Sequence, residues 1–545
     1  MVVKLNFDLA ADNLPRLRRA DSIRRLAQGG SARAHHHVIH FDTPDFALRK
    51  RGVTLLLRGQ KKTWTQEIRR ARKNADDSSE PLSHEWPLTK RALDLSLLKA
   101  TSFRGLLKKK HVRHGLGPIF AIRFRHTVLP LALGEDCKAK LHTEIGAIVA
   151  GSRKQPICQA RIELESGDPT RLFSVALDLL RSIPMSLSNR SMEERAYLLV
   201  LGTPEKPHKA ARIELDRNMS RVEAERVIAA NCMAQIQSNE PGFLGGPDPE
   251  YLHQLRVGWR RLRSAAAMPD SALWKELPGL LRNELRWIWG VLGAARNWDV
   301  LVDEILPTMA RAAASNKYQA KAITALQPRC DRIRKRHVNG ARAAIRSPRY
   351  QRLLLNIAWI VMDSHGVADP NDELAPAYSA HEFATDVLTR YRRKLKKRMR
   401  PHSLDSVTER HRARIAAKKL RYACDFFHGL FPGKATRRFL GRLESIQDAL
   451  GHLNDVANCT MLIRQATASK EVRFGRVTRE VVDAWLRTEE ARLLIQLERA
   501  RRRFSGQTEF WVPGGDTSFD PTIASEHGPR DRRENHVDAG PHLIN

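Results

Sequence analysis

Polar and apolar side chains alternate in short stretches over roughly the first two hundred residues of the chain. An alternation of period two is typical of strands that bury one face and expose the other. The clearest examples are Val53–Arg58, Trp64–Arg69, Ile119–Val128 and Gln159–Glu165. Helical spacing interrupts them near Asn13–Ala27 and Pro169–Ser182. The pattern predicts a domain of mixed strands and helices over residues 1–203.

A different pattern extends from about Ala210 to Phe504. Apolar residues recur there every three or four positions, as in amphipathic helices, and no stretch alternates like a strand. Between the two regions, Gly202–Lys209 has two prolines and little that is apolar, which predicts a linker over residues 204–211. We therefore expect an α+β multidomain protein with an all-α domain over residues 212–505.

The tail, residues 506–545, is rich in Gly, Pro, Asp, Asn and Ser. Such a segment buries too little apolar surface to offset the entropy lost on ordering, so disorder is predicted.

Charge changes this picture more than any other property. The 545 residues include 94 Lys and Arg against 60 Asp and Glu, a net charge of +34, which indicates a polyanionic partner.

The six cysteines are scattered, without a CxxC pair, so neither a disulfide framework nor a zinc ribbon is indicated. No apolar run approaches the roughly 20 residues of a membrane span, and the N-terminus does not resemble a signal peptide. We expect a cytoplasmic protein without a membrane span.

One cationic pattern occurs twice in the helical half. The copies are His253-x-x-Arg256-x-x-x-Arg260-x-x-Arg263 and His411-x-x-Arg414-x-x-x-Lys418-x-x-Arg421. On a helix these offsets fall within an arc of about 80°, so each copy presents one stripe. A single stripe is also what an ordinary solvated face would show. However, a Leu-Gly pair follows each histidine by 40 residues, at Gly293 and Gly451, so both copies share a frame of 158 residues. The sequence predicts a duplicated helical bundle with repeats at about 212–370 and 371–505.

Four segments around these stripes resemble the signature segments of CHAD domains. They are DPEYLHQLRVGWRRLRSA, LRWIWGVLGAARNWDV, HRARIAAKKLRYACDFF and LESIQDALGHLNDV. The resemblance implies two pseudo-symmetric helical bundles whose basic surface binds inorganic polyphosphate, with an association with polyphosphate granules. It also implies that the eight stripe residues are the phosphate contacts.

Other polar residues of this half have different predicted roles. Arg390, Arg393 and Lys397 share a helix face that would add cations, although a basic linker would have the same composition. A second group is predicted to cap helices or to orient the basic side chains. Its members are Arg296, Asn297, Asp299, Asn454 and Asp455.

Three segments of the N-terminal half resemble CYTH domains. They are HFDTPDFALRKRGVTLLLR, WTQEIR and CQARIELESGDPTRLF. The resemblance implies an antiparallel β-tunnel in which Arg and Lys hold a triphosphate while alternating carboxylates hold Mg²⁺ or Mn²⁺. Alternation matters because every second side chain of a strand points into the same lumen.

The metal-binding positions of that family are largely replaced in this chain. In the first strand, Val2 and Lys4 stand where glutamates belong, and Asn6 stands where a lysine belongs. In the late strand, Glu163 is the sole surviving carboxylate of its set, because the other positions are Gln159, Arg161 and Glu165, the last replacing a lysine. One carboxylate holds a hard divalent cation poorly. We therefore predict that no cofactor is required, with Mg or Mn needed only if the tunnel is active.

Several arginines could still line an anion-binding tunnel. They are Arg58, Arg69, Arg123, Arg125, Arg161 and Arg195. Arg49 and Arg51 either join them or face water on the outside of the barrel.

The leading hypothesis is a protein that binds polyphosphate or another polyanion through its helical half, with an inactive tunnel domain. One alternative is an active metal-dependent triphosphatase or polyphosphatase, against which the missing glutamates argue. Another is non-specific nucleic-acid binding. The charge permits this, but no known nucleic-acid motif and no aromatics interleaved with the stripes support it.

Overall fold

The computed structural model describes residues 3–60, 63–70, 83–202, 206–271, 273–274, 278–362, 378–400, 403–467 and 476–512. Four predicted features lie outside the described residues: Val2, residues 204–205 of the predicted linker, the predicted boundary between the repeats and the tail from residue 513.

The described residues of the N-terminal half form one antiparallel sheet of nine strands in the order β5-β4-β3-β2-β6-β7-β8-β1-β9. All four strands predicted from alternation are present. The strands are β1 (Lys4–Leu9), β2 (Ala32–Asp42), β3 (Val53–Gln60), β4 (Thr63–Arg70), β5 (Ser83–Leu88), β6 (Gly117–Gly134), β7 (Cys137–Ala150), β8 (Arg153–Ser166) and β9 (Met185–Leu187).

Six α-helices accompany the sheet within the part of this half that the structure describes. They are α1 (Leu14–Arg19), α2 (Asp21–Leu26), α3 (Arg104–Leu107), α4 (Lys110–Gly115), α5 (Pro169–Ser182) and α6 (Met192–Leu201). The helix α5 has the predicted bounds, with Asp168 accepting a hydrogen bond from the Thr170 amide at its N-terminus. The stretch predicted as one helix near Asn13–Ala27 is instead divided, because Ala20 has an extended ψ of 135° that ends α1.

The two faces of the sheet differ in chemistry at β8. On β8, Ala160, Ile162 and Leu164 are buried in a core that includes α5, whereas the alternate residues Arg161 and Glu163 point to the other face. We call that second face the lumen.

The helix α6 shows how the sheet curls around the lumen. On one side, Glu193 accepts hydrogen bonds from Thr54 of β3 and Arg69 of β4. On the other side, Arg195 donates to Asp8 of β1. Because one helix reaches strands so far apart in the sheet order, the sheet wraps around α6 in the tunnel-like arrangement expected from the sequence.

The C-terminal half is helical and duplicated. Its α-helices are α7 (Arg221–Gly245), α8 (Pro249–Ala265), α9 (Gly279–Val300), α10 (Leu306–Ala312), α11 (Lys317–Thr324), α12 (Gln327–Arg346), α13 (Pro348–Met362), α14 (Ala380–Arg398), α15 (Val407–Phe427), α16 (Lys434–Thr467) and α17 (Arg476–Ser505). The striped helices α8 and α15 are capped by Asp248 and Ser406, whose positions differ by the same 158 residues as the stripes. Within the described residues, no helix is both long and apolar enough to span a membrane.

The first helical repeat and the sheet belong to one compact unit. Leu355 of α13 is fully buried in the core formed by the sheet and α5, where Trp359 stacks on Phe173 with ring centroids 6.3 Å apart. The side-chain oxygen of Gln351 accepts a 2.8 Å hydrogen bond from the Leu187 amide of β9. The two sequence regions therefore share a core, although a linker was predicted between them.

A second compact unit contains α14, α15 and the described residues after 487. Phe510 and Trp511, within the tail predicted to be disordered, are buried there beside Phe439. The indole nitrogen of Trp511 donates a 2.9 Å hydrogen bond to Thr389. The predicted disorder is therefore wrong for residues 510 and 511, because two adjacent aromatic rings bury enough surface to order this segment.

The shared core predicts the effect of Leu355→Ala. Removing a fully buried leucine leaves a cavity, so the free energy of unfolding should fall by about 2–5 kcal/mol in urea denaturation. The matched control is Leu280→Ala, because Leu280 is 74% exposed and should change stability by less than about 0.5 kcal/mol. Equal, small effects of the two substitutions would show that α13 does not complete the core of the sheet.

Candidate anion-binding sites

The stripe on α8 is held in place by the neighbouring helix α9. Arg256 donates a 3.0 Å hydrogen bond to the carbonyl of Gly293, and the same nitrogen lies 3.5 Å from the side-chain oxygen of Asn297. The Leu-Gly pair found in the sequence thus supplies a backbone acceptor that fixes a guanidinium. Asn297 orients a basic side chain, as its predicted role requires.

The rest of this stripe is accessible to different degrees. His253 and Arg260 are half-buried, whereas Arg263 is exposed. The Arg263 guanidinium lies over the Trp289 ring, 4.5 Å from its centroid. Such packing limits the rotamers of a long cationic side chain and reduces the entropy lost on binding an anion.

One arginine next to the stripe has a structural role instead. Arg261 is buried and donates hydrogen bonds to Gln235 at 2.9 Å and Asn231 at 2.8 Å. Its position one residue after Arg260 places it on the packed side of α8, which helical periodicity indicates from the sequence alone.

The stripe on α15 resembles that on α8. His411 is exposed, and its Nδ1 lies 3.3 Å from the side-chain oxygen of Asn454 on α16. Arg421 forms an ion pair with Asp425 one turn later. In both repeats, a polar residue shortly after the Leu-Gly pair therefore holds a stripe residue.

The exposed face of α14 carries the cations predicted there. Arg390, Arg393 and Lys397 are exposed, and Arg390 lies 3.7 Å from Asp386. Arg392, in contrast, is buried over the Phe504 ring at 4.1 Å and donates to the Phe504 carbonyl. The segment is a helix with one packed and one solvated side, not a basic linker.

In the lumen, the candidate metal ligand Glu163 lies beside two cations and one histidine. Lys4 Nζ lies 3.2 Å from one carboxylate oxygen of Glu163. Arg161 Nε and His142 Nε2 lie 3.6 Å and 3.7 Å from the other oxygen. Lys4 would thus compete with a divalent cation for this carboxylate oxygen.

Further lumen carboxylates are paired in the same way. The buried Glu67 forms ion pairs with Arg58 and Arg69, and Arg69 also bonds Glu193 at 2.8 Å. Glu67 and Glu193 were not among the predicted site residues, although the alternation Thr65-x-Glu67-x-Arg69 places Glu67 on the lumen face. Within the described ranges, no three His, Cys, Asp or Glu side chains are close enough together to hold a metal ion.

Three histidines of adjacent strands line the lumen next to Glu163. His126 stacks on His142 with centroids 5.2 Å apart, their nitrogens lie 3.0 Å apart, and His36 lies 5.7 Å from His126. Burial, with Arg161 nearby, lowers the pKa of His142 to about 4. Burial also lowers the pKa of His36 and of His126. These rings are therefore neutral near pH 7.

Not every predicted tunnel arginine faces the lumen. Arg58, Arg69, Arg161 and Arg195 do, but Arg123 and Arg125 point to the opposite face of β6, so their prediction as lumen residues is wrong. Arg123 and Arg125 share a face of the strand with the core residue Leu131, because every second side chain points the same way. The alternate residues His126 and Val128 face the lumen.

Arg49 and Arg51 lie on a short 3₁₀ turn and not on a strand. The Arg49 guanidinium lies 4.2 Å from the centroid of the Tyr197 ring, and Arg51 donates to the carbonyl of Ala47.

These features define a protein in which a tunnel-like antiparallel sheet is joined to a duplicated basic helical bundle. Residues 227–463 match the model of the CHAD domain family. The CHAD domain from the plant Ricinus communis is 30% identical, with 56% of this chain and 98% of that chain covered and a TM-score of 0.46. The chain therefore belongs to the CHAD domain family.

Two further solved structures are similar at lower identity. PptA from Streptomyces chartreusis is 17% identical, with 52% of this chain and 98% of that chain covered and a TM-score of 0.37. HpAC1 from Hippeastrum, which has a dominant triphosphatase activity, is 15% identical, with 38% of this chain and 98% of that chain covered and a TM-score of 0.25.

The lowered pKa of His142 predicts a pH-dependent stability. Unfolding returns this imidazole to its ordinary pKa near 6.5, so the unfolded state binds the extra proton first as the pH falls. The free energy of unfolding should therefore decrease between about pH 6.5 and pH 4, by at most about 3 kcal/mol from this residue. His142→Gln should remove this part of the decrease in urea titrations over that range.

The matched control is His111→Gln, because His111 is exposed. This variant should retain the slope of the unsubstituted protein. The same slope in the His142 variant would contradict a buried neutral imidazole at that position.

Proposed function

We propose that the protein binds inorganic polyphosphate, or a polyanion of similar charge density, along the cationic stripes of α8 and α15. The observation that carries this proposal is the equivalence of the two stripes. Both have the same register, lie on helices that begin at equivalent residues, and are held by the helix that follows. A solvated charged face has no need for such constraints on its side chains.

The dimensions of the stripes suit a linear anion. Eleven residues from the histidine to the last cation span about 15 Å of helix, with one basic group on nearly every turn. Guanidinium groups bind phosphate oxygens through paired hydrogen bonds, and a chain of phosphates lets neighbouring cations act together. The exposed face of α14 adds three more cations in the same compact unit as α15.

Charge reversal on either stripe should weaken binding to a similar degree. Arg256→Glu with Arg260→Glu, and Arg414→Glu with Lys418→Glu, should each reduce polyphosphate affinity more than about tenfold at low salt, since each pair removes at least two phosphate contacts. Both should also flatten the dependence of log Kd on log salt, since fewer counterions are released. Gel retardation over a salt series, with DNA of matched charge in parallel, measures both quantities.

Control variants with the same change in net charge distinguish binding at the stripes from attraction by the overall positive charge of the protein. Arg332→Glu with Arg336→Glu, and Arg437→Glu with Arg438→Glu, replace exposed cations elsewhere on α12 and α16. They should weaken binding far less than the stripe variants. Equal losses in all four double variants would reduce the proposal to non-specific attraction, and equal binding of DNA would favour the nucleic-acid alternative.

We also propose that the tunnel-like sheet binds no catalytic metal ion. A metal-dependent triphosphatase needs carboxylates free to coordinate the cation, which neutralises developing charge and orients a water molecule. Here both oxygens of Glu163 face cationic groups, and Glu67 is paired with two arginines. A metal ion would have to displace these partners, and each arginine released would then repel it.

The full chain should therefore release no phosphate from ATP, tripolyphosphate or thiamine triphosphate in the presence of Mg²⁺ or Mn²⁺. Malachite-green detection across a pH series measures the release. The whole protein is the right material, because the sheet shares its core with α13. Metal-dependent turnover that Glu163→Gln or Glu67→Gln abolishes would establish the triphosphatase alternative instead.

A further inference from the structure

The outer face of the sheet, opposite the lumen, has a cavity that is separate from the stripes and shares His36 with the lumen residues described above. Helices cover this face at β8, through α5, and beside β3, through the cluster around Phe103. Between these covers lies an open cavity of about 650 Å³. Its lining includes Trp64, His37, Arg123 and Arg125. We call it the outer-face cavity.

A single row of register partners builds the floor of this cavity. Trp64 of β4 pairs with Gly59 of β3, which is followed by His37 of β2 and Arg123 of β6. A Cβ atom at Gly59 would lie 2.8–2.9 Å from three atoms of the Trp64 ring, so the indole lies directly on the glycine backbone. Only a residue without a side chain permits this, and the ring is consequently spread over the sheet surface.

His37 connects the aromatic and the cationic parts of the row. Its ring meets the indole of Trp64 edge to face, with centroids 5.6 Å apart. On its other side, His37 Nε2 accepts a 3.3 Å hydrogen bond from Arg123 Nε. The interaction orients the Arg123 guanidinium beside the aromatic floor.

The cations around the cavity are not neutralised as those of the lumen are. Arg33, Arg91, Arg123 and Arg125 are exposed, and across the described ranges none of them lies within 4 Å of a carboxylate oxygen. Arg18 nearby bonds the hydroxyls of two threonines, and burial together with Arg125 and Arg33 lowers its pKa. This clustering of like charges costs free energy unless an anion is bound.

We infer that the outer-face cavity binds a nucleoside phosphate, with the base on the indole of Trp64 and the phosphates at Arg123 and Arg125. A planar base gains stacking energy on an aromatic ring, and here it would replace the Arg91 guanidinium, which lies over the indole 5.3 Å from its centroid. Guanidiniums provide the paired donors that phosphate oxygens require. An inorganic phosphate chain would contact the arginines but not the indole, because it has no planar group to stack there.

The test is calorimetric titration of the full chain with ADP in EDTA, beside pyrophosphate as a ligand with no base. ADP should bind at one site that Arg123→Ala with Arg125→Ala weakens at least tenfold. Trp64→Leu should weaken ADP several-fold and leave pyrophosphate unchanged, because only the base uses the indole. The matched control, Arg104→Ala with Arg113→Ala, removes two exposed arginines from α3 and α4 and should leave ADP affinity unchanged.

A lumen variant, Arg58→Ala with Arg161→Ala, separates the two faces of the sheet. Loss of ADP binding in this variant alone would overturn the proposal and assign the nucleotide to the lumen. ADP affinity that is insensitive to the Arg123 and Arg125 substitutions, or an equal effect of Trp64→Leu on both ligands, would also overturn it. Polyphosphate binding by the helical stripes is measured separately, so each outcome leaves that proposal to its own test.

Discussion

The mutual repulsion of a large excess of positive charge is the constraint on which the organisation of this protein depends. A chain with a net charge of +34 must pair its cations, leave them in water or bring them together for an anion. The structure contains all three solutions in separate places. The lumen pairs Arg58 and Arg69 with Glu67, α14 leaves Arg393 in solvent, and the outer face of the sheet gathers arginines around an aromatic floor. The function proposed for each surface therefore depends on how its cations are arranged, rather than on the total charge of the protein.

The helical half can carry many cations on its surface because it is duplicated. Each repeat buries one side of its striped helix, with Leu255 and Trp259 in the first and Ala417 and Leu420 in the second. The polar residues that hold the stripe come from the next helix of the same repeat. Both repeats thus pack the striped helix in the same way and position it from the following helix, although through Arg256 in the first repeat and His411 in the second.

Much of this arrangement could be predicted from the sequence, and the errors have physical causes. Strands and stripes follow from periods of two and 3.6, which are properties of local geometry. The face on which Arg123 and Arg125 lie also follows from period two, but only once Leu131 on the same strand is known to be buried. The ion pairs of Glu67 depend on contacts between strands, and the burial of Trp511 depends on Phe439, 72 positions earlier. Such distant contacts leave no local pattern.

The burial of Leu355 in the core of the sheet has a consequence for synthesis on the ribosome. The last strand, β9, ends at Leu187, yet the apolar surface that it shares with α5 is closed only when α13 arrives, more than 150 residues later. During that interval the nascent chain exposes a hydrophobic face together with an unpaired strand edge, a combination that favours aggregation and chaperone binding. The amino-terminal region therefore completes its folding late, and its maturation depends on a segment encoded far downstream.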